Sequence, residues 1–299
     1  MHVGVQLPQN EIGADPGEIR ELVQGIRDLG FHHVSVLDHV LGADRGTYGD
    51  RDFLPYDATS VLHEPLVLFG FLTACAPELH LLSSILVLPQ RQTALVAKQM
   101  AEVDILARGQ TRLGVAVGWN DVEYEALGMD FSTRGRRIEE QVGLLRRLWT
   151  EPVVTFEGEF DRMRAVAINP PPVQRPIPIW FGGGIERARW RAAVLGDGLV
   201  ARWPLPDHPL ESEWPEHIEQ MRSWRREAGL DGDVGLEARV SADLVRSPEE
   251  WRRTAEEWRE LGASHFAIRT IRLGLEGADA HLGRLALARD ALGEMMMAA

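Results

Sequence analysis

Apolar residues along this chain fall into two alternating kinds of run. Eight short runs, at 3–7, 33–37, 79–86, 112–117, 177–181, 199–201, 236–242 and 265–268, are strand-like. Several are continuous rather than alternating, as expected for strands covered on both faces. Between them the spacing becomes helical. Ile19, Leu22, Ile26 and Leu29 step by three and four residues and stop at Gly30. Val96, Met100 and Val103 form a second stripe, and Ile138, Val142, Leu145 and Trp149 a third. Trp251, Ala255, Trp258 and Leu261 make another, opened by Ser247-Pro248-Glu249-Glu250 and closed by Gly262; a capping serine with proline in the first turn is a helix start. Strict alternation through eight strands predicts an α/β fold closed as a (β/α)8 TIM barrel, one domain over residues 1–299. An open doubly wound sheet is the rival, but no strand, G-x-G-x-x-G and helix unit stands near the start.

Two stretches break the rhythm. Residues 38–63, after the second strand, are polar and rich in Asp, Gly and Arg. Residues 150–176 separate the helix ending near Trp149 from the fifth strand, with a hairpin read around Gly158 and a proline run at 170–172. Long links in a barrel commonly serve as lids or substrate loops.

Composition narrows the partners. A formal net charge of −13 argues against nucleic acid or an anionic membrane. The single cysteine, Cys75, ends a helix and forms no disulfide within the chain. The first residues read as a strand, not as a basic region leading into a long apolar one, and no apolar run approaches the roughly 20 residues of a membrane span. A cytoplasmic location is expected, with a small molecule as the partner.

Active sites of such barrels form at the carboxyl ends of the strands. The second strand ends in Asp38-His39, which either orders the loop or places an imidazole at the cavity mouth for proton exchange. The fourth runs through Gly114 to Gly118-Trp119-Asn120, small residues that leave room for a flat ligand beside the backbone. The fifth ends in Gly182-Gly183-Gly184 directly before a helix, either a plain turn or a phosphate seat of backbone amides. Arg202 and Arg269, near the ends of the sixth and eighth strands, either meet an anion or lie on the surface. No H-E-x-x-H, G-x-S-x-G or Walker sequence occurs, and the adjacent pair His32-His33 stands at the start of its strand, the wrong end for a metal site. No metal is expected. Lys98, the one lysine, lies within a helix, which disfavours Schiff-base chemistry. With few nucleophiles and no metal ligands, reactivity falls to a bound organic cofactor.

Several blocks in order resemble the bacterial luciferase-like superfamily, and within it the branch that uses the deazaflavin coenzyme F420. They are Ser84-Ile85-Leu86-Val87-Leu88-Pro89-Gln90-Arg91, Leu113 to Asn120 with Glu123-Tyr124, Arg134-Gly135-Arg136-Arg137, and Pro178 to Gly183 with Gly196-Asp197-Gly198. The resemblance is strong over residues 1–200 and loose beyond. It implies a luciferase-like barrel with inserted loops after strands 2 and 4, a cofactor ring across the strand ends, and a bulge with a non-proline cis peptide at Ser84–Ile85. It further implies a phosphate site at Gly182, Gly183 and Gly184, Gly118 and Trp119 lining the other side, Asp38 and His39 beside the reactive centre, and a homodimer. The sequence departs from F420-dependent sugar-phosphate dehydrogenases, having Trp119 in place of their glutamate and no lysines for a substrate phosphate. Glu64 is then either a replacement acid or a helix cap. The expected activity is hydride transfer between F420 and a small organic substrate. The alternatives are an FMN-dependent monooxygenase using O2 and a non-catalytic deazaflavin- or flavin-binding protein.

Overall fold

The chain alternates strand and helix as the apolar pattern requires. A computed structural model describes residues 1–48, 56–202, 214–243, 245 and 247–297. In order, the elements are β1 (His2–Gln6), α1 (Pro16–Asp28), β2 (His33–Val36), α2 (Arg45–Tyr48), α3 (Pro65–Cys75), β3 (His80–Ser83), β4 (Leu86–Val87), α4 (Thr93–Leu106), β5 (Thr111–Ala116), α5 (Asp121–Ala126) and α6 (Arg134–Thr150). There follow β6 (Val154–Glu157), β7 (Arg162–Val166), β8 (Ile179–Gly182), α7 (Glu186–Val194), β9 (Gly198–Arg202), α8 (Trp214–Glu227), β10 (Gly235–Ser241), α9 (Pro248–Glu260), β11 (His265–Arg269) and α10 (Gly277–Met297).

Local chemistry sets the boundaries. The Asp15 carboxylate accepts from the amides of Gly17 and Glu18 at the head of α1, and Ser247 Oγ accepts from Glu250 N at the head of α9. Gly30 and Gly262 follow these helices at φ +83° and +93°, a conformation that stops a helix. β8 starts at Ile179, later than the run at 177–181 suggests. Pro178 has no N–H to give, and only its carbonyl joins the ladder, accepting from Leu113 N at 2.9 Å.

The order β3-β2-β1-β11-β10-β9-β8-β5, all parallel, is closed by pairing of β3 with β5 into a barrel. The run at 79–86 reads as one strand in the sequence. In the structure the cis Ser84–Ile85 peptide divides it into β3 and β4. Residues 49–55 of the long second link lie outside the described residues. The link at 150–176 begins where α6 ends, and its hairpin β6–β7 is pinned along that helix. Glu140 accepts from the amides of Glu159, Phe160 and Asp161, at 2.6, 3.0 and 2.7 Å.

Alternate strand residues face two different surroundings. Val3, Val5, Val34, Val36, Phe266 and Ile268 join the helix stripes in one apolar core. Leu82, Trp180 and Val200 form a separate buried cluster, and the Arg112–Glu237 ion pair at 2.9 Å spans from β5 to β10. These are the lumen-facing positions. At the amino ends of the strands, His2 packs against His32, His80 and His265, and His33 against His265. The His32-His33 pair thus sits at the opposite end from the strand termini discussed below.

Candidate functional site

The strand ends bring four sequence-predicted segments to one rim. Asp38, just past β2, is buried at 2% exposure. Its Oδ1 accepts from Arg91 Nη2 at 2.7 Å, and its Oδ2 accepts from Val87 N at 2.8 Å and Arg91 Nε at 3.3 Å. Burial pushes this carboxyl above its usual range, while Arg91 and the Val87 amide pull it back. Asp38 thereby ties β2 to β4 on the far side of the cis peptide. Arg91 Nη1 also donates to Glu64 Oε1 at 2.7 Å, and Glu64 Oε2 accepts from Val67 N in the first turn of α3. Both Glu64 oxygens are therefore engaged, one in the helix cap and one with Arg91.

The bulge at Ser84–Ile85 is accommodated by missing side chains. Ser84 N donates to Val36 O at 2.7 Å, and Ser83 Oγ to Gly114 O at 2.8 Å. A Cβ on Gly114 would lie 1.9 Å from the Ser83 carbonyl oxygen, one on Gly118 2.6 Å from Val87 Cγ1, and one on Gly182 2.4 Å from Ile85 Cγ2. The small residues of the fourth strand, read as room for a flat ligand, are thus filled at Gly114 by the bulge itself. Gly118 additionally has φ +67°. From the opposite wall, Arg239 Nη1 donates to Ser84 Oγ at 3.1 Å. β10 is four strands from β3 in either direction, so this bond crosses the lumen.

His39 lies at the rim beside an aromatic wall. Its ring centroid is 3.9 Å from that of Tyr56 and 5.9 Å, edge-on, from that of Trp119. Its Nδ1 is 3.3 Å from Glu123 Oε2. Glu123, on α5, is 1% exposed, and each of its oxygens is accounted for. Oε1 accepts from Val40 N at 2.7 Å and Leu41 N at 3.2 Å; Oε2 also accepts from the Tyr56 hydroxyl at 3.4 Å. Asn120, which caps α5, donates Nδ2 to that hydroxyl at 2.9 Å. Burial works against the Glu123 charge, but His39 and the two amides hold the carboxyl below its usual range. Burial and Glu123 push the Tyr56 phenol up. Glu123, Tyr56, Asn120, Arg91 and Arg239 were given no site role in the sequence reading. The one available signal was an N-capping asparagine at a strand end followed three residues later by Glu123.

Gly182, Gly183 and Gly184 carry β8 into α7. Gly183 has φ +136°, a Cβ on Gly184 would meet nothing within 4 Å, and no side chain caps the helix at Ile185. The turn leaves backbone accessible at a helix start. Arg269 is half-buried at the end of β11, and the Arg202 side chain lies outside the described residues. Two buried polar atoms at strand ends, Gln6 Oε1 and Ser35 Oγ, have no protein partner. Such atoms fit a site that receives a polar ligand.

The luciferase-like monooxygenase family profile matches residues 1–295. An uncharacterized protein of Mycobacterium tuberculosis is 26% identical over 292 residues, covering 96% of this chain and 98% of the relative. An FMNH2-dependent dimethylsulfone monooxygenase of Pseudomonas putida is 35% identical over 191 residues, 63% of this chain and 50% of that protein. An F420-dependent secondary alcohol dehydrogenase, solved with an F420–acetone adduct, superposes with a TM-score of 0.76 at 17% identity, covering 98% of both chains. The chain belongs to the luciferase-like monooxygenase family, whose members are oxidoreductases.

Proposed function

We propose that the chain is an F420-dependent oxidoreductase that moves a hydride between coenzyme F420 and a small organic substrate. One observation carries the reading: a glycine-backed bulge at Ser84–Ile85 shares its rim with a histidine held by a buried carboxylate. Ser84, Ile85, Gly118 and Trp119 would hold the cofactor ring, and Gly182, Gly183 and Gly184 its phosphate. Asp38 would act through Arg91 and Val87 by fixing β4. The buried Gln6 and Ser35 oxygens, and the glycines whose Cβ atoms would collide with the bulge, suit such a bed. When bound, F420 supplies a two-electron hydride acceptor or donor. His39 gives or takes the accompanying proton, and Trp119, 39% exposed, and Tyr56 shield one side of that exchange from water.

A second reading keeps the site and uses FMN with oxygen; the 35% identity to an FMNH2-dependent monooxygenase favours it. The test is titration of the purified protein with F420 and with FMN, then oxidation of each reduced cofactor with and without O2. The proposal expects tight F420 binding and oxygen-independent turnover with a carbonyl or alcohol substrate. FMN binding alone would overturn it in favour of the monooxygenase. Binding without any turnover would leave a carrier protein. We further propose a cytoplasmic homodimer; α3 is apolar almost all round, yet leaves Val67 72% exposed. No helix among the described residues is long and apolar enough to cross a membrane.

A further inference from the structure

We propose that Glu123 is the positioning residue for His39, holding the imidazole proton on Nδ1 and leaving Nε2 as the ring's proton acceptor. An ionised carboxylate only accepts hydrogen bonds, so whatever faces its oxygens must donate. Oε1 is satisfied by two backbone amides, Val40 and Leu41. Oε2 faces the Tyr56 hydroxyl and His39 Nδ1, and the neutral imidazole meets it only in the tautomer with hydrogen on Nδ1. The other groups around the ring do not compete. Asp38, its chain neighbour, faces Arg91 and Val87; Arg91 lies behind Asp38; Tyr56 covers one face of the ring and Trp119 approaches edge-on. The depressed carboxyl of Glu123 is consistent with a permanently charged acceptor.

The consequence for chemistry rests on the reading of His39 as the proton partner. In the alcohol-to-carbonyl direction, the O–H and C–H bonds of the substrate break and a C=O bond forms. The proton would pass to His39 Nε2, and F420, when bound, would supply the hydride acceptor. Nε2 must therefore be unprotonated beforehand, and in the neutral imidazole Glu123 leaves it so by holding the hydrogen on Nδ1.

The same geometry makes Glu123→Gln a sharp probe. Because Val40 and Leu41 N–H both point at the Oε1 position, the glutamine must put its carbonyl oxygen there. Its NH2 group then faces His39 Nδ1 and donates to it, which forces the ring proton to Nε2. The substitution is nearly isosteric, yet it inverts the tautomer.

The experiment is 15N side-chain NMR of the full chain without cofactor, above pH 8, with the His39 signals assigned by their loss in His39→Gln. Wild type is expected to show hydrogen on Nδ1, and Glu123→Gln hydrogen on Nε2. Wild type with hydrogen on Nε2, or a variant unchanged from it, would overturn the proposal. Tyr56→Phe guards against misfolding as the explanation. It keeps the Glu123–His39 pair and should retain the Nδ1 proton; a flip there assigns the tautomer to the tyrosine and also overturns the proposal. With a cofactor that turns over, Glu123→Gln should lower kcat about 10²–10⁴-fold, the scale of lost general base catalysis, with KM little changed. An inverted tautomer with unchanged kcat would instead overturn the role of His39, a failure the NMR result separates from that of Glu123.

Discussion

Replacing Glu237 by glutamine removes the negative charge from the lumen pair at the amino end of the barrel, and its cost follows from burial. Glu237 is 0% exposed. Its Oε2 lies 2.9 Å from Arg112 Nη2 and 3.4 Å from His33 Nε2, without a linear hydrogen bond to either. Burial opposes its charge, but Arg112 and His33 hold the carboxyl far below the usual range. Arg112 stacks on Trp180 with its guanidinium carbon 4.6 Å from the ring centroid, a favourable contact that does not neutralise it. Glu237→Gln thus leaves a buried guanidinium without its counter-charge, an error that costs about 3–5 kcal/mol. A protein of this size loses roughly 2–4 °C of Tm per kcal/mol, so the melting point should fall by about 6–20 °C. Differential scanning calorimetry at pH 7.5 reads this directly. The double variant Arg112→Leu with Glu237→Leu removes both charges and should recover much of the loss. A Glu237→Gln protein melting within about 2 °C of wild type would refute the reasoning, because the pair would then contribute no more than a surface salt bridge.

The histidines around that pair predict acid sensitivity. Burial, followed by neighbouring charges, lowers His80 to about 4 and His265 to about 2. Both lie below the unfolded value of about 6.5, so unfolding takes up protons, and stability is complete above pH 6.5 and lost as pH falls toward 4. The slope is at most about 1.4 kcal/mol per pH unit for each histidine, less for the partly exposed His80; urea unfolding at pH 7, 6 and 5 measures it, and a flat profile would contradict the assignment. Gly182→Ala places a methyl 2.4 Å from Ile85 Cγ2 and must displace the Ile85 side chain that forms the bulge's surface. A loss of about 1–3 kcal/mol in stability and about tenfold weaker cofactor binding are expected, read by thermal melting and fluorescence titration. Asp38→Asn removes the bidentate partner of Arg91 and should cost about 1.5–3 kcal/mol, whereas Glu64→Gln, at a more exposed end of the same network, should cost about 1 or less. Turnover by Glu64→Gln near the wild-type rate would assign Glu64 to the helix cap, and its loss would make it the acid.

The barrel was legible because short apolar strand runs alternate with stripes of helical spacing, and helix ends such as Asp15-Pro16 and Ser247-Pro248 announce themselves locally. The candidate site was legible only as far as position along one strand suffices to propose it. Asp38-His39 and Gly182–Gly184 follow strand ends directly, and Ser84–Ile85 came from the family resemblance. What escaped depends on contacts between distant segments. Glu123 reads as one acid among many on a helix, and only the fold brings it to His39, 84 residues away. Gly182 was read for its backbone amide, yet its lack of a Cβ is already required by Ile85. Arg112 and Glu237 look like polar positions between apolar ones, and no one-dimensional pattern says which charges meet across a lumen.

That lumen also explains how stability and chemistry share the same strands. Glu237 and Arg239 on β10, Trp180 and Gly182 on β8, and Leu82 and Ser84 at β3 are each two residues apart and point to the same side. One step of roughly 6.6 Å along each strand therefore separates the buried pair and its apolar cover from the bulge and its glycines. The lower level is a charged pair topped by Leu82, Trp180 and Val200; the upper level is polar and receives Arg239 from across the barrel. A change at Glu237 should therefore act on activity through the fraction of folded molecules, whereas a change at Gly182 acts on each folded molecule. Measured below its own melting transition, Glu237→Gln should keep the wild-type KM and kcat per folded protein. A raised KM there would mean that the apolar layer transmits the disturbance upward, through Trp180 to Gly182.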